Sequence, residues 1–237
     1  MARKADWSYV AIAVLTLLVV VLGFGRTYAL PMVNGTFGGP RVLHLHGAFA
    51  LAWVLLFVAQ PLLVRTGRRD VHRRLGRLGV PIAIGVVLTM LPAGAYQVTR
   101  DLAAGVGPSS VSAIVGVVTS GVLFLTLVSL GIGARADREA HARWLLLATL
   151  VVAWPAWFRL RHWFPGMPRP EIWFALVLPY LWVGVAMLRD RLSRGSVHPV
   201  LSIAGAAVVL EQSIEAAVYD TPPWRAMADV LYGWLHA

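Results

Sequence analysis

The sequence predicts an all-α polytopic membrane bundle of about seven transmembrane helices with a cytoplasmic amino terminus, and three observations predict it. Hydrophobic residues make up 58% of the chain and charged residues only 14%, whereas a soluble domain carries about a quarter charged residues to cover its surface. The apolar residues come in successive runs of bilayer-spanning length, about 20 residues each. Between the runs sit the arginines, concentrated in alternate connections.

The first run, 7–30, follows Met-Ala-Arg-Lys as a signal peptide would, but its length and its Gly23-Phe24-Gly25-Arg26 exit offer no small-residue cleavage site, so a retained helix is expected. The second, 44–64, opens on His44 and His46 and closes on Gln60-Pro61 ahead of Arg65. In the third, 80–98, Pro92 offers a kink and Gln97 stands near the exit. No histidine or charge interrupts the fourth, 110–134. The fifth, 144–164, contains Pro155, Arg159 and His162, and the sixth, 172–188, contains Pro179. Glu211, Gln212 and Glu215 interrupt the seventh, 199–218. The tail, 221–237, with Trp224, Tyr232 and Trp234 among a few charges, reads as an amphipathic helix on the outer interface. Connections are short and no internal repeat is evident, so 1–237 is read as a single transmembrane domain.

The net charge of +10 would suggest a nucleic-acid partner in a soluble domain; here topology explains it. With the amino terminus inside, the cytoplasmic segments hold Arg3, Lys4, Arg65, Arg68, Arg69, Arg73, Arg74, Arg77, Arg135, Arg138, Arg143, Arg189, Arg191 and Arg194, fourteen of the 21 basic residues. The outside receives Arg26, Arg41, Arg100, Arg159, Arg161, Arg169 and Arg225, scattered along the sequence. This positive-inside bias fits a multi-pass protein of the bacterial inner membrane, with the lipid bilayer as its first partner and no nucleic acid. The absence of cysteine excludes disulfides, thiolate metal sites and cysteine nucleophiles. Lys4 is the only lysine, so no transmembrane Schiff base can form.

Functional residues are sought where the membrane makes polarity expensive. His72, His141 and His198 each precede a helix that rises from the cytoplasmic side, and histidines at one depth on different helices are competent ligands for haem iron or a divalent metal. Taken singly, a histidine in an arginine-rich loop is more often solvated or capping. Glu211 and Glu215 share a helix face, and at about 1.5 Å rise per residue Glu215 lies near the depth of Arg159. An ion pair between them is expected, in an outer polar pocket formed by His46, Gln97, Arg159, His162, Glu211 and Glu215. The alternative is that Arg159 snorkels and Glu215 reaches the surface unaided. Gln60 is read as an interhelical hydrogen bonder.

Along residues 44–165, the stretch His46-Gly47, Gln60, Arg65 and His72-Arg73-Arg74-Leu75-Gly76-Arg77 resembles the first half of an uncharacterised bacterial membrane family, domain of unknown function 2306. His141-Ala142-Arg143-Trp144-Leu145, Arg159 and Trp163-Phe164-Pro165 are similar to its second half, with Leu145 where the family has methionine. The resemblance singles out His46, Gln60, His72, Arg77, His141 and Arg159, and implies no activity.

Three function classes follow. The leading one is a redox or ligand-binding protein holding haem b or a metal through His72 and His141, with His198 nearby and a membrane redox partner. The layout is similar to cytochrome b561-type bundles, but without a histidine on the fourth helix a second haem cannot be built. A carrier or accessory protein would bind a small molecule in the outer polar pocket. A zinc-dependent membrane hydrolase would need three histidines and an acid around the metal, and Glu211 and Glu215 lie towards the opposite face.

Overall fold

The computed structural model describes residues 7–235; Arg3, Lys4 and His236 lie outside the described residues, as does the last residue of the 221–237 tail. Eight helices and no strand appear among them. Seven are long and apolar enough to cross a membrane: α1 (Ser8–Val33), α2 (Arg41–Arg65), α3 (Arg69–Ala103), α4 (Pro108–Gly133), α5 (Arg138–Trp163), α6 (Glu171–Arg194) and α7 (Val200–Val218). The eighth, α8 (Pro222–Trp234), follows directly on the last of them. Short connections make successive spans antiparallel, so the bundle has a proximal end, where Ser8 lies, and a distal end, where α7 gives way to α8.

These helices form where apolar runs demand internally satisfied backbone. Their outward faces stay hydrophobic: Leu88, Val122 and Leu181, each at mid-span, are more than half exposed, as lipid-facing side chains are. The interior is built around α5, whose Leu146, Leu147, Ala148, Leu150 and Val151 are almost wholly buried. It packs against α1, α4, α6 and α7. Gly23 lets α1 approach it closely, since a Cβ at Gly23 would overlap the Ala156 carbonyl. A polar tie crosses the core where Trp53 Nε1 donates to Thr149 Oγ1 at 3.2 Å.

Prolines shape the spans in two ways. Pro61, Pro92 and Pro155 sit inside α-helical stretches. Pro31 and Pro179 instead follow π-helical turns, Gly25–Ala29 and Glu171–Val177. A proline ring collides with the carbonyl four residues back, here Thr27 and Ala175, and both lie inside the widened turns. A third such turn, Val200–Gly205, comes after Pro199.

Two spans outrun their apolar runs. α3 begins with the charged turn Arg69–Gly76, and α6 continues past residue 188 to Arg194, closing on left-handed Gly195 with φ 79°. The extension takes Asp190 into the protein. At the distal end α8 folds onto α3 and α4: Ala228 is fully buried, Trp224 Nε1 donates to the Ser112 carbonyl at 3.0 Å, and the Thr99 and Tyr232 hydroxyls lie 2.7 Å apart.

Candidate functional site

At the proximal end, α5 starts on Asp137, whose carboxylate accepts the Glu139 and Ala140 N–H groups at 2.9 and 3.2 Å. The Ala140 and Glu139 amides hold that carboxyl below its ordinary range. One turn on, Arg143 is fully buried. Its Nε and Nη2 reach the equally buried Asp190 of α6 at 2.8 and 2.5 Å, and its Nη1 donates to the carbonyl and carboxylate of Glu139 at 2.6 and 2.7 Å. Arg194 joins Glu139 at 2.8 Å and Arg189 joins Asp190 at 2.9 Å. The His198 N–H donates to Asp190 at 3.1 Å, so the connection between α6 and α7 is tied to the same carboxylate. Sequence reasoning missed this network by treating Arg143 as a loop arginine and leaving Asp190 unremarked between Arg189 and Arg191.

The three proximal histidines are placed differently from a shared ligand set. Only one orientation of the Gln60 amide satisfies all its neighbours: its nitrogen donates to the carbonyl and Nδ1 of His72, and its oxygen accepts the Gly76 N–H at 3.2 Å. Nδ1 of neutral His72 is then the acceptor and Nε2 carries the proton. His141 is the opposite tautomer, since Nδ1 lies 2.7 Å from the Gly131 carbonyl, which can only accept, and its Nε2 keeps the lone pair. The two rings are near enough for their charges to interact. His198 faces elsewhere: its Nδ1 accepts the Val200 N–H at 3.2 Å. Burial pushes the His198 imidazole down, and the Arg143 and Arg194 guanidinium groups add to the effect. Among the described residues no group of three histidine or acidic side chains converges for a metal, so the three-histidine zinc centre does not assemble. The Gln60 contact is the interhelical bond expected of it, and Arg77 is an exposed residue at the end of the Arg69–Gly76 turn.

The distal polar residues fall into two groups instead of one pocket. Arg159 is partly buried, donates to the Pro155 carbonyl at 3.1 Å and lies over the Phe24 ring of α1 at 4.4 Å. The charges that act on it are Arg161, Arg100 and Asp101, and Glu211 and Glu215 are not among them. Arg161 donates to the Phe158 carbonyl at 2.9 Å, and Arg26 donates to the His162 carbonyl at 2.5 Å. His162 is exposed and feels Arg161, Arg159, Arg26 and Arg100 together. Asp101, the one acid acting on Arg159, is already held by Gln97 Nε2 at 2.8 Å to each oxygen and by Arg100 at 3.0 Å. A cavity of about 370 Å³ opens among Arg26, Arg161, His162, Phe164, Pro165, Met167 and Pro170. His46 donates from Nδ1 to Thr89 Oγ1 at 3.1 Å, because the single Thr89 proton goes back to the Gly85 carbonyl at 2.6 Å. Arginines scattered along the sequence are thus gathered in space.

The acids occupy the other group, on α7. Glu215 accepts from Thr119 of α4 at 3.0 Å, and Glu211 accepts from its neighbour Gln212 at 2.6 Å. The expected ion pair with Arg159 is absent because Arg159 turns towards α1 while this face of α7 turns towards α4. At the turn into α8, Asp220 is paired with Arg225 and accepts from Ser112 at 2.7 Å. Those two partners, Arg225 foremost, hold the Asp220 carboxyl below its usual range. No family model, characterised protein or solved structure matches the chain.

Proposed function

We propose that this multi-pass protein resides in the bacterial inner membrane with its amino terminus in the cytoplasm, and that its distal end binds an anionic small molecule bearing a carboxylate or phosphate group. One observation carries the reading: Arg26, Arg159 and Arg161 converge without forming an ion pair to any carboxylate among the described residues. Arginines on the outer side run against the positive-inside tendency, and an ionisable side chain at such depth calls for a partner. Guanidinium forks that donate only to backbone carbonyls keep further N–H groups for a planar or tetrahedral oxyanion, the geometry arginine recognises best. The nearby cavity is open enough to admit it, and Phe164 adds an apolar wall. The resemblance of residues 44–165 to domain of unknown function 2306 rests on the motifs quoted above and adds no activity.

Thermal-shift and calorimetric titration of the detergent-purified protein with phosphate, sulfate, acetate and citrate tests the proposal. Saturable stabilisation by at least one anion is expected. Each charge-assisted hydrogen bond contributes about 1.5–3 kcal/mol, so Arg159→Gln should weaken binding by about 10–100-fold. If no anion binds, or if Arg159→Gln and Arg161→Gln bind as the parent does, the reading is wrong.

A further inference from the structure

Between the apolar parts of α2 and α3 stand five arginines in ten residues, Arg68, Arg69, Arg73, Arg74 and Arg77, and all of them are exposed. Arg69, Arg73 and Arg77 recur every four residues through the turns that open α3, so they share one face at a spacing of about 6 Å along the axis. Arg74 stands beside them. A neighbouring face is pinned to the bundle: the Gln60 amide of α2 donates to the His72 carbonyl and accepts the Gly76 N–H at 3.2 Å, and Leu75 is half-buried. The arginines are thereby turned outward as a row.

Nothing among the described residues neutralises that row. None of the five side chains forms an ion pair or a hydrogen bond there, and Asp70, the one acid in the segment, pairs with none of them. Other arginines at the same end are engaged: Arg143, Arg189 and Arg194 meet Asp190 and Glu139, and Arg191 donates to the Gly195 carbonyl at 2.6 Å. Like charges one turn apart weaken a helix, yet Arg69 and Arg73 stand so, and Arg73 and Arg77 after them. The positive-inside tendency asks for basic residues at one end of the bundle and does not ask them to share a face. Val71, Leu78 and Val80, interleaved with the row, are 38%, 51% and 42% exposed. Apolar side chains so placed set the guanidinium groups at the edge of the hydrocarbon, the level of the headgroup phosphates.

We infer that this row is a docking surface for anionic phospholipid, with the guanidinium forks bracketing headgroup phosphates. A planar fork matches a phosphate with two parallel hydrogen bonds, and polybasic segments beside a transmembrane helix attract anionic lipid. The exposed valines and leucine favour a lipid over a soluble polyanion, because they need acyl chains next to the same phosphates. The surface lies at the opposite end of the bundle from Arg26, Arg159 and Arg161, so the two sites stand or fall separately.

The test compares spin-labelled phosphatidylglycerol with spin-labelled phosphatidylcholine around the full chain in phosphatidylcholine vesicles, reading the fraction of label immobilised at the protein surface. The anionic label is expected to associate severalfold more strongly. Each arginine contributes about fivefold to such attraction, so Arg73→Gln/Arg77→Gln should remove most of the preference. Neither side chain bonds to another part of the described protein, so this variant keeps the fold. Arg41→Gln/Arg169→Gln removes the same charge from exposed positions at the distal end and should leave the preference in place. The inference is overturned if the two labels associate equally, if the Arg73→Gln/Arg77→Gln protein keeps the full preference, or if the distal variant loses as much. It is equally overturned if inorganic triphosphate, added at the concentration of the labelled lipid, displaces that lipid, since the occupant would then be a soluble anion.

Discussion

Arg143 has no contact with solvent, and its Nε, Nη1 and Nη2 are all engaged, which explains how a guanidinium survives buried at the proximal end of the bundle. A buried pair of this kind is costly to break because the survivor is left uncompensated. Arg143→Ala should therefore lower unfolding free energy in detergent by about 3–5 kcal/mol, while Arg143→Met combined with Asp190→Leu should recover a good part of the loss. A double-mutant cycle that is strictly additive would show that the two residues do not act as a unit. The rise per residue lets the sequence assign a depth to each polar residue, which is why Arg159 and Glu215 were expected to pair. It did not reveal azimuth. One face of α7 turns Glu215 to Thr119, and one face of α5 turns Arg159 to Phe24, and a rotation about either axis leaves the depth unchanged.

Helices were legible where they were longest and most apolar, because the bilayer thickness sets the run length. Their ends were not. The run 172–188 stops at the first arginine, yet α6 continues to Arg194 because Asp190 finds Arg143 inside the bundle and the neighbouring arginines reach outward. The π-helical turns before Pro31 and Pro179 were equally hidden, although the prolines that require them are plain in the sequence. Contacts between helices depend on small residues that composition alone does not rank. Gly23 is the clearest: its α-carbon faces the Ala156 carbonyl, so any side chain must push α1 away from α5. Gly23→Leu should cost about 1–3 kcal/mol of stability, the usual penalty of overpacking, and melting curves in detergent would register it. An unchanged melting temperature would mean that the α1–α5 contact is looser than the geometry implies.

For the whole molecule, orientation rests on fourteen basic residues assigned to one side against seven on the other. Reporter fusions should place the segment after Arg69 in the cytoplasm and the carboxyl terminus outside; the reverse result at either point would invert the bundle or change the helix count. That bundle is organised around the span least able to live in lipid by itself. Mean hydropathy is 1.2 for α5, against 2.4 for α1, and α5 is the helix with the buried arginine. Synthesis is sequential, and Asp190 follows Arg143 by 47 residues, which at ordinary elongation rates is a delay of roughly 2–10 s. During that interval the ribosome has delivered a half-finished protein whose central helix holds an arginine with Glu139 as its one early carboxylate partner. Insertion of α5 therefore precedes completion of its own ion-pair network, and Asp190 closes that network only when α6 joins the bundle.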